Sequence, residues 1–162
     1  MASYRLIFGI IMGIVLSFLS VFFFNMESIF NQIQIYANSD ILKALALLIG
    51  ANFKFDMIAF FTGALSVTGF FAAQLLAWLF IGYVSGTIAK GLRRGITASL
   101  LVVVIDILIW IILNIIVGED LMAFFQGTQL SETLGGLISA FIGAFIGGSV
   151  GGLISGPYEE YY

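Results

Sequence analysis

Residues 134–155 read LGGLISAFIGAFIGGSVGGLIS, a stretch in which small residues return every fourth position. Gly135, Ser139, Gly143, Gly147, Gly151 and Ser155 make one row, and Gly136, Ala140, Ala144, Gly148 and Gly152 make the row beside it. The intervening rows are bulky: Leu137, Phe141, Phe145 and Leu153 in one, Ile138, Ile142, Ile146, Val150 and Ile154 in the other. In water such a helix is poor, because each Gly costs roughly 1 kcal/mol against Ala. In lipid, small residues four apart let helix backbones approach closely. The stretch therefore reads as a membrane helix shaped to be packed against.

Composition agrees with that reading. Hydrophobic residues make up 61% of the 162-residue chain and charged residues 9%, against roughly 45–50% and 25% in soluble domains. One membrane domain, 1–162, accounts for the length. With no Cys and no His, thiolate and imidazole metal sites, disulfides and the usual general base are absent, so neither a cofactor nor an enzymatic activity is expected. A net charge of −3 without a basic stripe gives no footprint for nucleic acid.

Working outward, Leu6–Phe24 reaches ~28 Å and Ile96–Val117 ~33 Å as helices, each about one hydrocarbon thickness. With residues 70–89 and 134–155 they predict an all-α integral membrane bundle of four transmembrane helices. The interfacial region 25–69 adds one or two short interfacial or re-entrant helices. Met26, Ile29, Phe30, Ile33 and Ala37 share one face of an amphipathic helix. Ser39 and Asp40 are placed to cap Ile41–Ala51, which is too short to span. The alternative is a fifth span through Ile41–Phe61, at a cost for burying Lys43, Lys54 and Asp56. Leu6–Phe24 lacks a small-residue cleavage pattern after it and reads as a retained anchor.

Four spans put Arg5, Lys90, Arg93 and Arg94 on one side and Lys43 and Lys54 on the other. The excess of basic residues makes the first side cytoplasmic. The expected location is the cell membrane, multi-pass, with both termini inside and Glu119, Asp120 and Glu132 outside. Tyr158, Tyr161 and Tyr162 suit the headgroup layer.

Small-residue rows recur as Gly9, Gly13 and Ser17 in the first span and Gly82 and Gly86 in the second. With Gly143, Gly147, Gly151, Gly148 and Gly152, these are the expected helix-packing residues. The double row predicts a central fourth span, with the first and second spans against its bare faces, or with one face against a second copy. Packing within the chain and homo-oligomerisation, a narrow pore included, both follow from such rows.

Asp106 stands near the middle of the third span with no cation in that segment. Ser99, Trp110 and Asn114 lie on its face. An intramembrane carboxylate marks an ion or proton pathway by default. The competing reading is structural: insertion costs roughly 2.5–3.5 kcal/mol for a central Asp, against a gain of 0.3–0.6 for each Leu, Ile or Val around it, so the helix inserts without functional reason. A neutral Asp106 that donates a hydrogen bond is expected, with Ser17, Ser20 and Trp78 at its depth and Gln74 nearer Trp110. Gln74, Trp78 and Ser85 share a face and could form a polar seam between the second and third spans.

Residues 81–91, IGYVSGTIAKG, the basic turn Lys90–Arg94 and the glycine-patterned last span resemble small archaeal and other prokaryotic multi-span membrane proteins of unknown function. That resemblance implies four helices and no known activity. Residues 92–100, LRRGITASL, are also similar to a turn in the substrate-binding membrane components of vitamin transporters, which have more helices than this chain, so no residue roles carry over. Two functions follow. One is a non-catalytic scaffold or accessory subunit, partnered by the lipid bilayer and by itself or a larger membrane complex through its glycine faces. The other is a small transporter or channel component with Asp106 handling protons or cations, and Gln74, Asn114, Ser17 and Ser20 lining the route.

Overall fold

The turn between two long helices, Lys90-Gly91, sets the antiparallel plan. Lys90 (φ 53°) and Gly91 (φ 84°) both occupy left-handed backbone, which reverses the chain in two residues. The computed structural model describes residues 3–24, 27–37, 39–55, 62 and 73–156. Among them are six α-helices and no strand: α1 (Ser3–Phe23), α2 (Glu27–Ala37), α3 (Ile41–Gly50), α4 (Ala73–Ala89), α5 (Leu92–Val117) and α6 (Gly127–Ile154). Short 3-10 turns occupy Ala51–Phe53 and Leu121–Phe125. Two helices, α5 and α6, are long and apolar enough to cross a membrane; α1 and α4 are apolar but contribute shorter runs, Tyr4–Ser20 and Ala73–Ala89.

Helix limits differ from the sequence reading mostly at their starts. Helix α5 begins at Leu92, so Arg93 and Arg94 ride on its first turn instead of a loop. Helix α6 begins at Gly127, which carries Glu132 on a helix instead of an outer loop. Residues 70–72, expected to open the second span, lie outside the described residues, as do Asp56–Phe61, 63–69 and the tail from Pro157.

Helix α6 packs on α4 and α5, and α1 lies across α4 and α5 from the other side. The expected placement of the first span against α6 is therefore corrected. Gly143, Gly147 and Gly151 face α4: a Cβ on Gly143 would come within 2.7 Å of Trp78 Cβ, and one on Gly147 or Gly151 would overlap the carbonyl of Leu79 or Tyr83. The second row faces α5 instead of α1. A Cβ on Gly148 would strike Ser99, and one on Gly152 would lie 2.7 Å from Gly91 O. The reason is complementary glycine: a Cβ on Gly95 of α5 would lie 2.5 Å from Gly148 O, so a side chain there would prevent the approach. Helix α1 spends its own small residues elsewhere, Gly9 on Ser85 O and Gly13 on Val102. Gly82 and Gly86 likewise meet Ala144 and Gly148.

Both small rows of α6 are buried, and Phe141, Ile142, Phe145, Ile146 and Val150 are exposed. Similar exposed stripes run along α1 (Ile7, Phe8, Ile11, Val15), α4 (Leu76, Phe80) and α5 (Leu101, Val104, Leu108, Ile112). The bundle is thus apolar outside, while Ser17, Ser20, Asn52, Ser85, Ser99, Asp106, Asn114 and Ser139 are buried within it.

Candidate functional site

The interior polar groups gather around a segment that the sequence assigned to the interface. Asp40 caps α3, its side chain accepting from Lys43 N at 3.1 Å. The helix stops at Gly50, and the chain continues as the turn Ala51–Phe53, all three residues buried. The helix expected in the alternative span Ile41–Phe61 is not continuous: it stops at Gly50, Lys54 is exposed and non-helical, and Asp56–Phe61 lies outside the described residues. The segment instead re-enters the bundle. Gly50 and Gly136 make room for it: a Cβ on Gly50 would lie 2.6 Å from Trp110 Nε1, and one on Gly136 would overlap the Phe53 carbonyl.

Asn52 is the hub. Its Nδ2 donates to Ser17 O (2.8 Å), its Oδ1 accepts from Ser20 Oγ (2.6 Å), and its carbonyl accepts from Trp78 Nε1 (2.9 Å). One buried amide thereby ties α1, the turn and α4 together. Phe53 follows, its ring 5.4 Å from Trp78 and 5.8 Å from Trp110, and Trp110 is 5.2 Å from Phe124. These rings form a continuous aromatic ladder across the bundle.

Asp106 is fully buried on the inward face of α5, with the Ser17 hydroxyl beside it. Ser17 gives its proton to Ile14 O at 2.7 Å. Neither carboxyl oxygen of Asp106 has a hydrogen-bond partner among the described residues. Among the described residues the expected bond from Asp106 is not made: Ser20 and Trp78 turn their donors to Asn52, and Ser17 gives its proton to Ile14 O, which leaves the Ser17 oxygen beside the carboxyl as an acceptor. The expected seam through Gln74, Trp78 and Ser85 is also absent. Ser85 donates to Gly82 O of its own helix (3.1 Å), and half-buried Gln74 joins none of the bonds around Asn52.

Trp110 and Asn114 follow Asp106 on the same face, one and two turns on, so Asn114 stands ~12 Å along the axis. Asn114 donates to Trp110 O at 2.7 Å. Both line a cavity of about 150 Å³ beneath α3, whose rim carries Gln32, Lys43, Lys54 and Glu119. Lys43 pairs with Glu119 (2.6 Å) and sits 4.8 Å from the centre of the Tyr36 ring. The Glu119 carboxylate holds the Lys43 ammonium above its ordinary range.

Sequence reasoning brought six of its seven polar candidates to this interior: Asp106, Asn114, Trp110, Trp78, Ser17 and Ser20. It missed Asn52 and Phe53. The available signal was a lone amide between Gly50-Ala51 and Phe53, a polar group flanked by residues fit for burial.

The class so defined is an all-helical bundle with an apolar exterior, two helices fit to cross a membrane, and a buried polar column under a cavity. Comparison with family models, with curated proteins and with solved structures finds no match.

Proposed function

We propose that the chain is a four-span membrane protein that moves protons or monovalent cations, with Asp106 as the group that takes up the ion. One observation carries this: a fully buried carboxyl whose two oxygens make no hydrogen bond among the described residues, with only the Ser17 hydroxyl beside it, on the helix face that continues through Trp110 and Asn114 to an open cavity. A polar group left unpaired in a low-dielectric interior costs several kcal/mol and is retained where function uses it. A lone carboxyl with a single hydroxyl beside it suits a proton or a monovalent ion, whereas calcium takes about six to eight oxygen ligands.

In this reading the exposed stripes of α1, α4, α5 and α6 face acyl chains, and α1 and α4 cross with the help of their flanking residues. Arg5, Lys90, Arg93 and Arg94 then lie at the cytoplasmic end, and the cavity opens outside. The accessory-subunit reading has less support. Its glycine faces were to meet a partner, and the chain's own backbones already occupy them.

The test is ion flux into liposomes carrying the purified protein, followed by a pH-sensitive dye under an imposed gradient. Asp106→Asn preserves volume and is expected to abolish flux while thermal stability is kept or raised, since an amide can both donate and accept. Equal flux in the variant and the native protein would remove Asp106 from the pathway. No flux in either would return the scaffold reading to the front.

A further inference from the structure

The cavity beneath α3 has a chemistry of its own. Its floor is apolar, with Ala46, Ala51 and the Trp110 indole, and its charges stand at the rim. The rim holds two ammonium groups, Lys43 and Lys54, against the carboxylate of Glu119. An ammonium has three donors, and the Glu119 bond uses one of those on Lys43. An arriving anion therefore finds donors on both lysines without displacing Glu119. An arriving cation would find only the remaining oxygen of Glu119 and would sit beside both lysines, whose like charge repels it. About 150 Å³ is the size of cavity that holds one benzene ring.

We propose that this cavity binds a small monocarboxylate with an apolar body, its carboxylate between Lys43 and Lys54 and its body on Trp110. The floor supplies the hydrophobic contact, and the Asn114 amide offers a polar atom to a substituent on the body. This site stands on the cavity alone and holds whether or not Asp106 carries an ion.

The experiment uses the full chain in lipid nanodiscs, titrated with benzoate and followed by tryptophan fluorescence against empty nanodiscs. Benzylamine and benzyl alcohol, with the same ring, serve as the cationic and neutral probes. Saturable quenching by benzoate is expected, with benzylamine at least about tenfold weaker. Lys54→Gln, at an exposed position, is expected to weaken benzoate about fivefold, as befits a rim-exposed ion pair. Asp106→Asn is expected to leave benzoate affinity unchanged, which separates this site from the ion pathway. Benzylamine binding as tightly as benzoate, unchanged affinity in Lys54→Gln, or no saturable benzoate signal would each overturn the assignment.

Discussion

Asn52 uses both ends of its amide and its backbone carbonyl, and each bond goes to a different place: Ser17 O, Ser20 Oγ and Trp78 Nε1. Replacing it by Leu keeps the size but removes the donor to the Ser17 carbonyl and the acceptor for the Ser20 hydroxyl, and brings an apolar group against these two polar ones. A loss of about 1–3 kcal/mol is expected, the cost of leaving buried groups unpaired, read as a lower midpoint in denaturant titration. Lys43 is only partly buried. Its ammonium is stabilised by Glu119, so the pair's contribution is complete below 10.5, the ordinary lysine value, and is lost as pH rises through the raised value of the folded protein. Native protein and Lys43→Met should therefore differ in melting temperature at neutral pH and converge in strong alkali. A difference that persists unchanged there would show that the ion pair is not its source.

At the scale of elements, the packing of α6 on α4 and α5 is a backbone-to-backbone contact. Gly147 is met by Leu79 O and Tyr83 N, and Gly148 by Gly95 O and Ser99. Gly147→Ala is expected to destabilise by about 1–3 kcal/mol, although Ala exceeds Gly by ~1 kcal/mol in an exposed helix. Ser149→Ala, on the half-buried edge of the same helix where the hydroxyl bonds only to Phe145 O, should change stability by less than about 0.5 kcal/mol. A neutral Gly147→Ala would mean that α4 and α6 stand further apart. The same contacts explain why period four was readable while the partner was not. Small residues at every fourth position announce a close neighbour, but α1, α4 and α5 all carry small residues. Only the meeting of Gly95 with Gly148 selects α5 for the second row.

At the scale of the molecule, the outside is richer in large apolar side chains than the inside is poor in polar ones. Leu108, Ile112, Phe141, Phe145 and Ile146 are exposed while Asp106, Asn52 and Ser99 are buried. In water this exterior would aggregate. Sidedness can be tested directly because the chain contains no cysteine. In intact cells, Met122→Cys, at the end of the bundle near the cavity, should react with an impermeant thiol reagent, while Arg93→Cys, in the first turn of α5, should react only after the membrane is opened. Labelling of both from outside would sink the four-span arrangement.

The all-helical character, the cap at Asp40 and the burial of both small rows were legible from sequence, because spacing along one helix reports that helix's own faces. The interior candidates on α5 were legible for the same reason: Ser99, Asp106, Trp110 and Asn114 share a face whatever lies opposite. What lies opposite was decided only in three dimensions. Asn52 and Phe53 enter the bundle because Gly50 and Gly136 clear a path between helices remote in sequence, and Asn52 there takes the donors of Ser20 and Trp78 that the depth of Asp106 suggested for the carboxyl. Local periodicity determines which side of a helix is hidden; which chain segment hides it depends on contacts between residues far apart, and these exist only once the helices have packed.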